Sequence, residues 1–448
     1  MTWAWTAKDL PEGRSNSARG ERRALTEYDD EGRAGGGGRR GHPDHCDGPT
    51  CPLQPGSVQG ADAPVPERLP TASSDHDLGV RSPSKSRRLS LAVAAALMAT
   101  CCAADPELTP PAAVSEIDAA LDRPCSPAPE IGLRTDLAPL RVQTLVETDG
   151  VPTDVAEIDG SLLVALRDGR VVDATGRVLV DVSDDTSLSG DQGLFSIEPV
   201  EDGLLSLRTA ADGALELALH PTDLGTSQTL LRVDQPDERH NGGGLAVDRA
   251  TGQVFVGVGD GGGQGGWFLG DDPAFGTVLR GEVRHGRLMP VGAATDLVWA
   301  TGLRNPHRIW IDDADLWIAD TGESCREEVS RVGLDEERPD LGWNAREGEL
   351  PFVTDEQRAS VDPVAVWDHL DDRCAVVGGA VGPSWLDGMQ VVADHCTGEV
   401  FVVTDDGIGE LPLELDAVTA VDVVGGELVA LLLDGRVVTI DRGDAPSV

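Results

Sequence analysis

From about residue 135 the chain is written in short runs in which apolar positions alternate with polar ones or form brief β-branched stretches. Examples are "GSLLVALRDGRVVDATGRVLVDV", "DGLLSLRTAADGALELALH", "GQVFVGVGDGG", "ADLWIADTG", "GMQVVADHCTGEVFVVTDDG" and "GELVALLLDGRVVTI". Period-two alternation puts every second side chain on one face, the mark of a half-buried strand. The runs are separated by Asp-Gly, Asn-Gly and Gly-Gly pairs, which favour tight hairpins because glycine accepts positive φ without strain. No long stretch carries a 3.6-residue apolar period, so the pattern predicts an all-β chain. The phrase "GSLLVALRDGRVV" near residue 160 returns as "GGELVALLLDGRVV" near 425. Units recur at roughly 40 to 60 residues, about six of them, a repeat that suits one four-stranded sheet per unit in a β-propeller. An array of β-sandwiches is the alternative, and it accounts less well for the repeat length.

The first hundred residues follow other rules. "GRAGGGGRRGHPDHCDGPTCPLQPGSVQG" is rich in glycine, proline and charge and lacks periodicity, so it buries too little apolar surface to offset its ordering entropy. Cys46 and Cys51 lie there near His42 and His45, but their spacing matches no standard zinc knuckle. Residues 1–80 are expected to be a disordered or mis-assigned extension. In "RSPSKSRRLSLAVAAALMATCCAADPE", Arg81, Lys85, Arg87 and Arg88 precede an apolar run from Leu89 to Thr100 and then small residues. That order of regions is the order of an export signal, too short to span a bilayer permanently. Residues 81–104 are therefore expected to direct export to a periplasmic, cell-surface or extracellular location. Cys101 is a candidate lipid acceptor and the one expected point of membrane attachment. Residues 105–134 read as a linker and 135–448 as the folded domain.

Charge sharpens this picture. The formal net charge is -42, and residues 1–100 hold 13 acidic and 13 basic side chains, so the whole excess lies beyond residue 100. Lysine occurs only at Lys8 and Lys85. Such a domain repels nucleic acid and anionic membranes. Without Cys101 and Cys102 an exported domain keeps Cys125, Cys325, Cys374 and Cys396, an even number that suggests two disulfides in an oxidising compartment. Cys374 and Cys396 sit at strand edges around the turn "GPSWLDG" and are expected to pair, leaving Cys125 for Cys325.

The stretch "RHNGGGLAVDRATGQVFVGVGDGGGQGG" sets a histidine before three glycines, then a strand-like run, then a second glycine cluster. In a propeller "RHNGGG" would lead into a blade, "QVFVGVGD" would be an inner strand, and the later glycines would wall a ligand site at the channel mouth. With "SGDQGLFSIE", "VWATGLRNPHRIWID", "DLWIADTGESCREEVSRV", "DLGWNAREGE" and "CAVVGGAV…GMQVVADHCTGEVFVV", all in order between about 140 and 440, it resembles the glucose/sorbosone dehydrogenase family. That family comprises the soluble sugar dehydrogenases dependent on pyrroloquinoline quinone (PQQ) and the hedgehog-interacting-protein-like chains.

The resemblance implies a six-bladed β-propeller of four-stranded antiparallel blades. It implies PQQ and calcium over the channel, an aldose oxidised at its anomeric carbon, and a further, unidentified electron acceptor. By motif position His240 is the base and Arg304 and Asn305 lie beside the quinone. The carbonyls of Gly322 and Glu323 fall on a calcium-holding turn. The family's quinone-side glutamine falls at Asp191, with Gln192 next to it, and its carboxylate before the histidine is replaced by Arg239. A lysine and a late arginine pair that grip the quinone's carboxylates have no counterpart, and "DAVTAVDVV" stands where the pair would be. Arg239, Arg308, Arg326 and Arg373 are the cations left for that task. A binding propeller without the quinone, and a calcium-dependent hydrolase or lactonase, are the competing readings. On this reading His240, Arg304 and the Gly322–Glu323 turn meet at one end of the channel.

Overall fold

The hairpins signalled by the Asp-Gly and Gly-Gly turns assemble, in a computed structural model, into six sheets arranged around a central channel, with a seventh, two-stranded sheet, Arg346–Glu347 with Leu350–Pro351, inserted before the last strand of the fourth. The structure describes residues 125–443 except 223–225, 263–272, 293, 352–359 and 406. The proposed export signal, Cys101 and the early Cys/His cluster therefore lie outside the described residues. Among the described residues there is no α-helix, and no helix long and apolar enough to cross a membrane.

Blade 1 runs Pro152–Ile158, Ser161–Leu166, Arg170–Asp173, Val178–Asp181. Blade 2 runs Leu194–Val200, Gly203–Thr209, Leu215–Pro221, Gln228–Val233. Blade 3 starts at Leu245–Asp248 and continues with Gln253–Val258 and Thr277–Arg284; that third strand is flanked by both Arg287–Pro290 and Val298–Thr301. Blade 4 comprises Pro306–Asp312, Asp315–Asp320, Glu327–Gly333 and Ala365–Trp367. Blade 5 comprises Val376–Val381, Gln390–Asp394, Val400–Thr404 and Gly407–Glu410, extended by a short parallel strand, Gly132–Leu133. Blade 6 takes Val418–Val424, Glu427–Leu432 and Arg436–Arg442 from the C-terminal end, and its outer strand, Leu140–Glu147, from the other. The fold is a six-bladed β-propeller. The repeated phrase near 160 and 425 falls on the second and third strands of blades 1 and 6.

The first strands of successive blades adjoin in a ring, and the last adjoins the first. "QVFVGVGD" is an inner strand, as its sequence context suggested: Gln253–Val258 is second in its blade, with Leu245–Asp248 nearer the channel. Second strands are buried on both faces, between their neighbours and the next blade, which explains their continuous apolar runs. The core is accordingly divided into six wedges, one between each pair of adjacent blades. One wedge joins Trp310, Trp317 and Trp367 of blade 4 to Val376, Val392 and Phe401 of blade 5.

Cys374 and Cys396 flank the antiparallel pair Val376–Val381 and Gln390–Asp394, and their sulfurs are joined, with Cα atoms 5.7 Å apart. Cys125 is joined to Cys325, with Cα atoms 5.4 Å apart, so residues 125–134 are tied to blade 4 before pairing with blade 5. Neither thiol of the 374–396 pair should react with an alkylating reagent before reduction. Cys374→Ser should lower stability by about 2–4 kcal/mol, read from denaturant midpoints. Free thiol in the unreduced protein would contradict the pairing.

Candidate functional site at one end of the channel

In a meander of four antiparallel strands, the links between blades and the turns between second and third strands lie at the same end. His240 lies on the link from blade 2 to blade 3, Asp191 on the link from blade 1 to blade 2, and Arg304 with Asn305 on the link into blade 4. Asp260 and Glu323 lie on second-to-third-strand turns of blades 3 and 4. All six residues are therefore delivered to one mouth.

His240 is buried, at 4% exposure, with φ of 51°, a left-handed backbone that a non-glycine residue adopts at a cost. The surroundings hold it there. Its N–H donates to Asp191 Oδ2 at 3.2 Å. Asn241 donates to the carbonyls of Asp237 and Arg239, both at 3.1 Å, and clamps the preceding loop. The glycines after it serve the protein itself. A Cβ at Gly242 would strike the backbone of Gly257 and Gly259, one at Gly243 would strike Phe195, and one at Gly244 would strike Ile309. Their role is packing: they let a link pass tightly between blades.

The imidazole is fixed at both nitrogens. Nδ1 lies 2.9 Å from Asp260 Oδ1, and Asp260, which is fully buried, also accepts Trp343 Nε1–H and Gly262 N–H at 3.0 Å each. A carboxylate with this partner set places the ring proton on Nδ1, leaving the Nε2 lone pair free to accept. Nε2 lies 2.9 Å from an Arg304 terminal nitrogen. Burial, followed by the Arg304 charge, pushes the His240 pKa below the ordinary imidazole value, so the ring is neutral at pH 7.

Arg304 is 3% exposed and fully engaged. Its Nε donates to Glu323 Oε2 at 2.9 Å, one terminal nitrogen donates to the Thr321 carbonyl at 3.0 Å, and the other reaches both Glu323 and His240. Burial opposes the charge, but Glu323 and Asp260 more than offset it and raise the Arg304 pKa. The guanidinium also lies 5.7 Å from the Trp343 ring centre. Asp320 holds the link from beneath, accepting Arg304 N–H at 2.9 Å and Asn305 N–H at 2.6 Å; burial lifts its pKa to about 7. Asn305 Oδ1 accepts the Gly242 N–H at 2.9 Å, tying the arginine link to the histidine link.

The structure thus brings His240, Arg304, Asn305 and Glu323 together, with Asp191 beside them. The Gln192 side chain is engaged within its own loop, its amide oxygen Oε1 accepting from the Ser187 hydroxyl at 2.5 Å. Arg239 sits at the rim, one-third exposed, 3.1 Å from Asp237. Arg308, Arg326 and Arg373, the other cations singled out from the sequence, are committed elsewhere: to Asp154 and Asp422, to Glu349, and to Glu399. Glu323 enters through its carboxylate, where only its carbonyl had been considered. No group of three or more His, Cys, Asp or Glu side chains among the described residues is arranged to hold a metal. Sequence reasoning missed Asp260, Trp343 and Arg167. Asp260 follows a strand directly in "GVGDGG", where it reads as an ordinary turn residue.

Solved structures share this architecture. The PQQ-bound form of an aldose sugar dehydrogenase from Streptomyces coelicolor is 22% identical, covering 70% of this chain and 99% of its own, with a TM-score of 0.56. A glucose dehydrogenase is 18% identical over 68% of this chain and 99% of its own, with a TM-score of 0.55. A crystal structure of glucose dehydrogenase, also 18% identical, is covered completely by 68% of this chain, with a TM-score of 0.53. The chain has the sugar-dehydrogenase fold. No family model and no curated protein matches it in sequence. At these identities the sugar-dehydrogenase fold fixes the architecture, and chemistry must be argued from the mouth itself.

Proposed function

We propose that this chain is an exported aldose dehydrogenase that oxidises the anomeric carbon of a sugar, with PQQ as hydride acceptor and His240 as base. The observation that carries the reading is the buried, neutral imidazole, anchored on Asp260 through Nδ1 and presenting Nε2 to Arg304. A binding scaffold has no use for a histidine held in a left-handed backbone with its lone pair directed at a buried cation.

The donors at the mouth suit a flat, anionic quinone. Arg304 and Asn305 would face its carbonyl oxygens. Arg304 lies at the mouth, Arg239 at its rim, and Arg167 holds the Asp191 link through the carbonyls of Gly190 and Gln192. The Arg239–Asp237 pair is a rim pair, worth little, and readily exchanges its partner. The carbonyls of Gly322 and Glu323 would hold calcium at the adjoining turn. When bound, the quinone supplies the two-electron acceptor for the hydride leaving C1.

The chain's own residues handle the proton. A C1 hydroxyl arriving at the mouth would displace the direct Arg304–Nε2 hydrogen bond, donating to the imidazole and accepting from the guanidinium in its place. His240 takes the hydroxyl proton as the C1–H bond breaks, Asp260 stabilises the resulting imidazolium, and Arg304 stabilises negative charge on the oxygen. The sugar would leave as the lactone, its hydride having passed to the quinone and its hydroxyl proton through His240 to solvent.

The test is reconstitution of the domain with PQQ and calcium, followed by dye reduction with a panel of aldoses. Turnover is expected; neither a spectral change nor turnover would overturn the reading. The locked state of Arg308, Arg326 and Arg373 favours one competitor, a propeller that binds saccharide without quinone. It predicts sugar binding with no change in the quinone spectrum.

A further inference from the structure

The carboxylate that anchors His240 is divided between two sides. Asp260 Oδ1 lies 2.9 Å from His240 Nδ1 and accepts the Gly262 N–H at 3.0 Å. Oδ2 accepts the indole N–H of Trp343 at 3.0 Å, and among the described residues no other donor reaches it. Asp260 is fully buried, so bulk water does not stand in for that donor, and an ionised oxygen left without one is expensive.

Trp343 is held in register with the link that carries Arg304. Leu341 N–H donates to the Thr301 carbonyl at 2.9 Å and Trp343 N–H to that of Gly302 at 3.0 Å, so the two stretches are clasped together. A Cβ at Gly302 would strike the Asp340 side chain and the backbone of Leu341 and Gly342, so the clasp closes only on a glycine. The indole is buried, and its ring centre lies 5.7 Å from the Arg304 guanidinium. One side chain therefore adjoins both groups that hold the imidazole: Asp260 at Nδ1 and Arg304 at Nε2.

We propose that Trp343 is a positioning residue that governs how readily His240 takes up a proton, acting through the charge of Asp260. The indole N–H stabilises the ionised carboxylate, which weakens its pull on an imidazolium and leaves the ring neutral with its proton on Nδ1. Without that N–H the charge of Asp260 is answered by His240 and Gly262 alone, and an imidazolium becomes the better partner. The other charged groups around the imidazole and its anchor are Asp191 on the link from blade 1, Asp237 and Arg239 beside His240, Arg304 on the link into blade 4, and Asp320 and Glu323 in blade 4. A substitution that removes only the indole N–H keeps all of them, so its effect reports on the Trp343–Asp260 bond.

Trp343→Phe removes the N–H and keeps an aromatic face toward Arg304. Should that variant not fold, 3-benzothienylalanine at the same position exchanges the N–H for sulfur without changing the shape. The first measurement is the protonation of His240 in the ligand-free protein, followed by the imidazole nitrogen resonances of isotope-labelled histidine, with the His240 signals identified by their loss in His240→Ala. The titration midpoint should move to higher pH in the variant. A midpoint that stays in place or moves to lower pH would overturn the proposal. This measurement involves neither quinone nor sugar, so it stands apart from the dehydrogenase reading. The second is the pH–rate profile with PQQ and an aldose, which rests on that reading. The acid limb of kcat/KM should move to higher pH, with about a tenfold loss on that limb for each pH unit moved, while the rates at the alkaline end agree. An equal loss at every pH would leave Trp343 a packing role only and sink the proposal. No turnover by either protein would count against the dehydrogenase reading, with the resonances still deciding the role of Trp343.

Discussion

His240→Ala is expected to lower kcat by about two to four orders of magnitude, the range for loss of a general base, with PQQ affinity little changed. The base acts through Nε2, and no other titratable side chain with a hydrogen bond to that nitrogen can replace it: Arg304 is a cation that cannot accept a proton. Asp260→Asn provides a test that keeps the histidine. An asparagine amide can donate to Nδ1, which would move the ring proton to Nε2 and remove the lone pair that receives the substrate proton. Loss of kcat in both variants, with folding and quinone binding intact, is the expected outcome. The pH–rate profile gives a second check. Because burial and Arg304 depress the His240 pKa, the acid limb of kcat/KM should lie below the ordinary imidazole value, since the ring must be neutral to accept a proton. Activity retained in Asp260→Asn would show that the carboxylate only packs.

Arg308→Leu is expected to destabilise the propeller by about 3–5 kcal/mol, the cost of stranding buried charge. Arg308, on the innermost strand of blade 4, reaches Asp154 on blade 1 and Asp422 on blade 6, all three buried or nearly so. Burial lifts the Asp422 pKa to about 7 and that of nearby Glu198 to about 8 even with the guanidinium present. Without it, two carboxylates on the adjoining first strands of blades 1 and 6 lie side by side with no cation between them. The sign of the pH effect follows. Carboxyls whose folded pKa is raised lose stability as pH rises through that value, so the variant should unfold most readily near pH 8 and recover partly near pH 5. Adding Asp154→Asn and Asp422→Asn should restore much of the loss, because the cost lies in the unpaired charges and not in the missing bonds. An unchanged denaturant midpoint at pH 8 would refute the argument.

Much of the fold was legible because hairpin chemistry is local. Asp-Gly turns and period-two alternation identify strands without knowledge of their neighbours, and the phrase shared by blades 1 and 6 exposed the repeat. The order of strands within a blade was less legible. Gln253–Val258 and Leu245–Asp248 are both apolar, and burial on two faces erases the alternation that would tell the innermost strand from the second. The meeting of His240 with Arg304 and the Gly322–Glu323 turn followed from their shared position at blade ends. The use of the glycines did not. Whether Gly243 accommodates a ligand or Phe195 depends on a contact between blades that no local pattern encodes. Asp260 was illegible for a related reason: one aspartate after a strand gains meaning only when a histidine 20 residues earlier folds back onto it. Glu323 was considered for its carbonyl alone because the motif does not reveal that its side chain reaches Arg304.

The sixth blade has a consequence for how the molecule is made. Its outer strand, Leu140–Glu147, pairs with Arg436–Arg442, so a strand made before blade 1 waits for a partner made after blade 5. A nascent chain released after blade 5 would expose apolar strand edges on both sides of the gap, each a template for joining another copy. Products cut short near the C terminus should therefore accumulate as aggregates and not as smaller soluble propellers. The same adjacency has a constructive side. A short linker could join Arg442 to its paired neighbour Leu140, and new termini could be opened in the Asp159–Gly160 turn of blade 1, at the end away from the mouth. The position of the chain's ends is thus a matter of synthesis, and a circularly permuted ring should keep the mouth that holds His240.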